Sequence, residues 1–270
     1  MEIDKSQFYE TKMIRQALNI INGDQVEENN ERFCVEFGAG DGYDSSNVFG
    51  LIKDESFSAV LIEPEKEQYS SLVKRYTKNK NVYCFNEFVQ INPDQGLHKI
   101  LSKTPCTIDF EILSIDIDGN DVYTWLALRD YKPKLVLIEF NPSFPNDIDW
   151  RQEADLNIQQ GCSLLATTNV AKELGYELIG VTPVNALFVR KEFFERFGLE
   201  CNDVDYFYDD SIYTTKLGQL YDGELVLLGN KRLMWHRIEI DKEILEKVIL
   251  NYFSRFNISS KESFENFIIE

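Results

Sequence analysis

Cysteine is scarce in this chain, and its placement excludes the chemistry that cysteines most often serve. The five cysteines are odd in number and scattered, and none forms a C-x-x-C pair, so neither a disulfide framework nor a structural zinc site is expected. Cys34 and Cys84 lie in apolar, strand-like runs, where we expect buried free thiols. Unpaired thiols indicate a reducing compartment, and we therefore expect a cytoplasmic protein. The remaining cysteines are Cys106, Cys162 and Cys201.

Positive charge is also in short supply. The 270 residues carry 28 Lys and Arg against 46 Asp and Glu, which gives a net charge of −18 and a pI near 4.6. Non-specific binding to nucleic acids and adhesion to anionic membranes both depend on Lys and Arg, so we expect neither partner. The same charge favours a neutral or cationic ligand.

Long apolar runs are absent as well. No segment approaches the ~18 consecutive apolar residues of a membrane-spanning helix, and the acidic start MEIDKSQFYE has no apolar core of a secretory signal. Apolar residues still make up 43% of the chain and charged residues 27%, which is typical of a folded globular protein. A chain of this length buries enough apolar surface to fold without disulfides or metals.

What the chain does contain is a regular alternation of short apolar runs and amphipathic segments. A helix is predicted over 8–22 and ends at Gly23, and Asp44 or Ser45 is expected to cap the helix after the first strand. The short turn around Pro183 implies an antiparallel pair at the end of the series. The alternation predicts an α/β doubly wound sheet with a terminal hairpin. The predicted strands are 33–37, 59–62, 82–85, 112–115, 135–138, 176–181 and 186–189, and the later helices are 65–77, 122–130 and 164–174.

The last part of the chain, 198–270, differs in composition. It is rich in Tyr, Asp and Phe, with a strand-like stretch at 224–228 and a helix-like stretch at 242–256. Two roles remain open for it, a lid over the preceding domain or a face for a homodimer.

A glycine-rich turn and a later acidic residue indicate the ligand. Glu36, Gly38, Gly40 and Gly42 form an E-x-G-x-G-x-G run that directly follows a predicted strand and precedes a helix. Glycines at such a turn let the backbone approach a ligand closely. Glu63 ends the next strand about 20 residues later, the distance at which an acidic side chain binds a ribose diol. Together they predict a cofactor that contains adenosine.

Two adenosine cofactors fit this pattern, NAD and S-adenosylmethionine (SAM). The run lacks the G-x-x-G spacing of the dinucleotide fingerprint, and no Y-x-x-x-K dyad stands where hydride transfer would need it. A Glu two residues before the first Gly is typical of SAM enzymes, so Glu36 is expected to attract the α-amino group. The acidic chain also suits a ligand whose sulfonium and ammonium are cationic.

The runs VEFGAGDG, LIEPE, LSIDIDGNDVYTW and KLVLIEFNP resemble class I SAM-dependent methyltransferases, and are most similar to the FkbM-like group. The resemblance covers about 31–190. It implies an α/β Rossmann-like sheet of seven strands in the order 3-2-1-4-5-7-6, with strand 7 antiparallel. It also implies a SAM-binding domain over 1–197, a C-terminal extension over 198–270, and S-adenosylhomocysteine (SAH) as product. The cofactor-binding residues it implies are Glu36, Gly38, Ala39, Gly40, Gly42, Ser46, Glu63, Asn86 and Asp116.

Three carboxylates crowd the end of the fourth predicted strand. Asp116, Asp118 and Asp121 repel one another unless cations or hydrogen-bond donors are present. Asp121 is the best placed to cap the following helix. Asp116 and Asp118 are expected to face the cofactor, since ligands bind at the carboxyl ends of such strands.

A sugar hydroxyl needs a general base, a metal, or both before it attacks a methyl group. The resemblance to sugar O-methyltransferases places a magnesium ligand at Asp116 and the base at Asp118. Glu139 matches the first of two further metal ligands, Phe140 stands at the second, and Asn141 lies one position on. The sequence therefore leaves magnesium open, with Asp116, Glu139 and Asn141 as the candidate ligands.

Three residues are assigned to the acceptor side. Asn141 is expected to bind a substrate hydroxyl, Phe144 to stack on a sugar ring, and His236 in KRLMWHR to serve as a lid residue or an anchor for an anionic group. The expected function is O-methylation of a sugar hydroxyl in polysaccharide or glycan biosynthesis. The alternatives are a methyltransferase that acts on a phosphate, carboxylate or amine, and a non-catalytic module that binds an adenosyl cofactor.

Overall fold

Seven strands form one mixed sheet at the centre of the molecule. The computed structural model describes residues 4–23, 32–92, 96–128, 131–222 and 224–230. The strands are β1 (Phe33–Phe37), β2 (Ser58–Ile62), β3 (Val82–Phe85), β4 (Ile112–Ile115), β5 (Leu135–Glu139), β6 (Tyr176–Val181) and β7 (Asn185–Arg190). Their order is β3-β2-β1-β4-β5-β7-β6, and β7 runs antiparallel to both β5 and β6. The predicted strand order and the predicted direction of the seventh strand are confirmed.

Helices connect the successive strands, as the alternation in the sequence predicts. Each crossover between parallel strands carries one helix, which places helices on both faces of the sheet. The helices are α1 (Glu10–Asn22), α2 (Phe49–Glu55), α3 (Lys66–Tyr76), α4 (Leu97–Leu101), α5 (Asp121–Leu126), α6 (Leu164–Glu173), α7 (Lys191–Phe194) and α8 (Val204–Phe207), with 3-10 turns at Glu195–Phe197 and Asp210–Ile212. In the part of the chain that is described, none is long and apolar enough to cross a bilayer.

The sheet is buried on both faces because alternate strand residues belong to two separate apolar clusters. In β1, Val35 and Phe37 pack with Trp125, whereas Cys34 packs with Leu51 on the opposite face. All five residues of β1 and of β2 are buried. Strands covered on both sides read as continuous apolar runs, which is why their positions could be predicted.

All five cysteines are free, as predicted. Cys34 is buried, and burial raises the pKa of its thiol well above the ordinary value. Cys84 is only half-buried, because β3 is the edge strand of the sheet.

The loop between β1 and α2 is longer than predicted. The helix begins at Phe49, and the predicted cap at Asp44 or Ser45 is wrong. Ser45 has a left-handed backbone with φ 63°, so the chain turns once more before the helix starts. The hydroxyl oxygen of Ser46 instead accepts a hydrogen bond from the Phe49 N–H at 3.1 Å.

The chain divides into two compact units, Met1–Thr214 and Thr215–Glu270. The first unit thus continues beyond the boundary expected at 197. The reason is that Val204 and Tyr208, in and after α8, are buried in the same apolar cluster as β1.

The described part of the second unit is an antiparallel hairpin. It consists of β8 (Thr215–Gln219) and β9 (Leu225–Gly229). The predicted strand at 224–228 matches β9 to within one residue, whereas the more polar β8 was not predicted. The helix predicted over 242–256 lies outside the described residues.

Candidate cofactor and acceptor site

The loop after β1 turns on glycines with a left-handed backbone. Gly38 has φ +64°, and a Cβ built on it would lie 1.9 Å from the backbone oxygen of Asp116. The loop therefore passes directly against the end of β4, where only glycine fits. The N–H of Gly40, which has φ +54°, donates to the Glu63 carboxylate at 2.8 Å. The structure thus brings together the glycine loop and the acidic residue after β2.

A cavity of about 320 Å³ opens beside this loop, at the carboxyl ends of the parallel strands. This volume lies within the range of small-molecule sites. Five acidic side chains line the cavity, and none of its described lining residues is Lys, Arg or His. The lining residues are Phe37, Gly38, Ile62, Glu63, Pro64, Glu65, Glu87, Phe88, Val89, Asp116, Ile117, Asp118, Asn120, Leu156 and Gln159.

Glu63 is held rigidly at the cavity wall. Its side chain is 5% exposed, and its two carboxylate oxygens accept the N–H groups of Gly40 and Glu65 at 2.8 and 2.7 Å. An ionised carboxylate has about four acceptor positions, so about two remain for a ligand hydroxyl. The ribose contact itself stays a prediction.

Asn86 follows β3 as expected but supports the cavity from behind. Its amide nitrogen donates to the carbonyl oxygens of Glu63 and Pro64, both at 2.9 Å. Asn86 is not among the described lining residues, and Glu87 and Phe88 form that part of the wall. Phe88 was not predicted as a site residue, because in the sequence it resembles an ordinary loop residue.

Glu36 fastens the glycine loop to the sheet. Its side chain is 2% exposed, and its oxygens accept the Ser46 hydroxyl at 2.7 Å and the Asn47 N–H at 2.6 Å. Burial raises the pKa of Glu36 to about 7. Neither Glu36 nor Ser46 belongs to the described cavity lining. The contact of Glu36 with an α-amino group stays a prediction.

Ala39 and Gly42 complete the loop. Ala39 is buried, and its N–H donates to the carbonyl oxygen of Ile62 at 3.1 Å. The carbonyl oxygen of Gly42 accepts the hydroxyl of Tyr76 at 3.0 Å. These bonds join the loop to β2 and to α3.

Three carboxyl groups converge at the ends of β4 and β5. One oxygen from each of Asp116, Asp118 and Glu139 lies within 4.8 Å of the others. Burial raises the pKa of both Asp116 and Glu139, and repulsion from neighbouring carboxylates adds to it, first from Asp121 at Asp116 and first from Asp116 at Glu139. Such a cluster of oxygen donors suits a hard divalent cation. Two of the predicted metal ligands, Asp116 and Glu139, lie in this cluster together with Asp118, and the metal site, with Asn141 as its third candidate ligand, stays a prediction.

The turn that presents Asp118 is fixed by Asp121. The two oxygens of Asp121 accept the N–H groups of Ile117 and Gly119, both at 2.9 Å. Asp121 therefore stabilises the turn before α5 rather than capping the helix from outside. Asp118 has a left-handed backbone with φ 56° and an exposed side chain that makes no hydrogen bond or ion pair with any described residue. Non-glycine residues held in such strained conformations cluster at functional sites.

Two of the predicted acceptor residues, Asn141 and Phe144, are not among the described lining residues of the cavity. The Asn141 amide donates to the Gln160 carbonyl oxygen at 2.8 Å and accepts the Ser143 N–H at 2.9 Å. The ring of Phe144 stacks on Trp150, with ring centres 4.5 Å apart. His236 lies outside the described residues. The acceptor roles of all three therefore stay predictions.

A loop after β5 closes one side of the cavity, and no sequence pattern predicts it. Leu156 and Gln159 line the cavity from this loop. The amide nitrogen of Asn120 donates to the carbonyl oxygens of Asp155 at 3.0 Å and Ile158 at 3.3 Å, which ties the loop to the end of β4. These contacts join residues far apart in sequence, so no local pattern predicts them.

The comparisons with known proteins address the fold. The sheet order is the Rossmann-like arrangement that the resemblance to class I methyltransferases implies. No protein-family model matches the chain, and no curated protein matches its sequence.

Solved structures align with the chain at low identity. A candidate sarcosine dimethylglycine methyltransferase from Galdieria sulphuraria aligns at 12% identity and a TM-score of 0.40, over 63% of this chain and 62% of that one. A candidate caffeoyl-CoA O-methyltransferase from Staphylococcus aureus gives 15% and 0.43, over 70% and 86% of the two chains. The N-terminal domain of EvdMO1, crystallised with SAH and D-fucose, gives 10% and 0.40, over 67% and 82%. The chain thus spans less than two thirds of the first of these proteins. At such identities and TM-scores the alignments carry no argument about activity, which must be argued from the site.

Proposed function

We propose that this protein is a SAM-dependent methyltransferase that acts on a neutral hydroxyl group of a sugar. The observation that carries the proposal is the hydrogen bond between the Gly40 N–H and the Glu63 carboxylate, because it joins the glycine loop to the ribose-binding position at the cavity wall. Gly38 and Glu63 both line that cavity.

The charges of the cavity support SAM over a dinucleotide. SAM carries a cationic sulfonium and an ammonium group, and the cavity offers acidic side chains and no cation among its described lining residues. The pyrophosphate of NAD would meet those carboxylates without a compensating charge. The short G-x-G-x-G spacing supports the same choice.

The same charges restrict the acceptor. A phosphate or carboxylate acceptor would be repelled by Glu63 and Asp118, so a neutral hydroxyl is the better candidate. The choice of a sugar rests on the resemblance to the FkbM-like group and to sugar O-methyltransferases. In the proposed step the acceptor oxygen attacks the methyl carbon, and the carbon–sulfur bond breaks with its electron pair retained by sulfur. The acceptor proton passes to Asp118, the exposed carboxylate on the strained turn.

The carboxyl cluster fits a magnesium ion. Asp116 and Glu139 would hold it through oxygen atoms, the ligands that this ion prefers, with the exposed Asp118 beside them as the base. A bound cation would offset the repulsion from neighbouring carboxylates that, after burial, raises the pKa of Asp116 and of Glu139. It would supply Lewis acidity that makes a nearby hydroxyl easier to deprotonate.

Calorimetric titration with SAH, with and without magnesium, tests the cofactor assignment. We expect wild-type protein to bind SAH and Glu63→Gln to bind it about tenfold more weakly, since an amide cannot accept both backbone N–H groups (a loss of about 1.4 kcal/mol). Glu67→Gln, the same change on the exposed surface of α3, is the matched control and should bind as wild type. Folded wild-type protein that does not bind SAH would refute the proposal.

A second experiment separates an enzyme from a binding module. Asp118→Asn should keep the SAH affinity of the wild type but transfer methyl groups from SAM to a panel of sugar acceptors at least about 100-fold more slowly, the usual effect of losing a general base. A full rate in Asp118→Asn would remove Asp118 from the mechanism. SAH binding by the wild type without transfer to any acceptor would favour the non-catalytic module.

A further inference from the structure

A second concave site lies on the first unit, away from the cofactor cavity. It has a volume of about 640 Å³ and shares no lining residue with that cavity. The C-terminal ends of α2 and α3 and the turn that leads into β3 form its walls. We call it the basic groove, and its lining residues are Phe49, Ile52, Lys53, Arg75, Tyr76, Lys78, Asn79, Lys80 and Asn81.

The charge of the basic groove is opposite to that of the whole chain. Four cationic side chains line it and no acidic one does, in a chain whose net charge is −18. Lys53, Lys78 and Lys80 have no acidic partner within 4.0 Å in the described part of the chain, whereas Arg75 pairs with Asp41 at 2.6 Å. Three lysines are therefore available to an anion.

The groove also has an apolar floor and a polar rim. Ile52 and Tyr76 are buried and Phe49 is half-buried, so an organic group could pack against them. Asn79 and Asn81 are exposed and offer amide donors and acceptors beside the lysines. A site that recognised only negative charge would not need this apolar surface.

We propose that the basic groove binds a phosphorylated small organic molecule. The lysines attract the phosphate groups, and the apolar floor takes the organic part. Inorganic phosphates satisfy only the first contact, and uncharged molecules satisfy only the second. The proposal does not depend on the function of the cofactor cavity.

Titration calorimetry at low salt tests the proposal, with SAH present so that the cofactor cavity is saturated. The probes are uridine diphosphate, inorganic pyrophosphate and uridine. We expect uridine diphosphate to bind more tightly than pyrophosphate, uridine not to bind, and added salt to weaken the binding. If pyrophosphate binds as tightly as uridine diphosphate, the groove recognises only the phosphate charge and the proposal fails. A 12-nucleotide RNA that binds much more tightly than uridine diphosphate would assign the groove to a polymer and also overturn it.

Variants locate the binding. Lys78→Glu/Lys80→Glu should weaken uridine diphosphate binding about tenfold or more, because two attractions become repulsions. Arg75 and Tyr76 are left intact because both also contact the glycine loop. The matched control is Lys99→Glu/Lys172→Glu, which changes the net charge equally on exposed surfaces of α4 and α6 and should leave the affinity within about twofold. Equal weakening in both double variants would show a general effect of net charge and refute the site. Lys53→Glu, on α2, repeats the test if the first double variant does not fold.

Discussion

Replacing Gly38 with alanine tests whether the contact between the glycine loop and β4 shapes the cofactor site. The new Cβ would meet the backbone oxygen of Asp116 at 1.9 Å, at a residue with φ +64°. The left-handed backbone costs about 1–2 kcal/mol for a residue with a Cβ. Relief of the overlap requires the backbone to move, at roughly 1–3 kcal/mol more. We therefore expect Gly38→Ala to lower the free energy of unfolding by about 2–5 kcal/mol.

Gly23→Ala is the control for the backbone strain. Gly23 has φ +57° and ψ −149°, a conformation almost confined to glycine, and its new Cβ would meet nothing within 4 Å, so only the backbone strain of about 1–3 kcal/mol should be lost. Urea unfolding followed by circular dichroism measures both free energies, and calorimetry with SAH measures the affinities. Gly38→Ala should bind SAH at least about tenfold more weakly (about 1.4 kcal/mol), while Gly23→Ala binds as wild type. Equal stability of the two variants, or unchanged SAH affinity in Gly38→Ala, would refute the reasoning.

Three further predictions concern the loop and the core. Glu36→Gln removes a carboxyl group whose pKa burial raises from 4.5 to about 7. Because folded Glu36 keeps its proton to a higher pH than the unfolded chain does, its contribution to wild-type stability should fall by up to about 3 kcal/mol between about pH 4.5 and pH 7, and the stability of the variant in urea unfolding should fall by that much less; parallel pH curves would contradict it. Asn146→Ala removes a buried amide that donates to the Asp205 carboxylate at 2.9 Å and the Tyr208 carbonyl oxygen at 2.8 Å, and should lower the free energy of unfolding by about 2–4 kcal/mol. A thermal melt like that of the wild type would show that these bonds add nothing. Gly40→Val places a branched side chain on a left-handed turn and should abolish SAH binding in calorimetry; retained affinity would separate the loop from the cofactor.

Most of the strands could be predicted because they read as short, largely apolar runs. Both faces of this sheet are covered, so Val35 and Cys34, which pack on opposite faces, are both apolar. The apolar positions in the sequence therefore coincide with the buried positions of the strands. The more polar strand of the second unit, β8, has no such pattern and was not predicted.

The candidate cofactor site could be predicted only in part, because only some of its residues are required by the local backbone. The sequence marks Gly38 and Gly40 because the turn after β1 requires glycine. It marks Glu63 because this acidic residue directly follows a predicted strand. Asn86 follows β3 as predicted, but the direction of its amide depends on two carbonyl oxygens that the sequence does not locate, and its contact with the cofactor stays a prediction. Gln159 reaches the cavity through a long irregular loop, so only the folded chain reveals it.

Under the proposed function, the acidic cavity favours the exchange of product cofactor for substrate cofactor. Methyl transfer converts a sulfonium into a neutral thioether, so SAH carries one positive charge fewer than SAM. One charge at about 5–6 Å from a carboxylate is worth about 1–3 kcal/mol in surroundings between water and protein. The acidic lining of the cavity therefore favours SAM over SAH. Under the proposed function, this site would exchange spent cofactor for fresh cofactor more readily than a neutral cavity would.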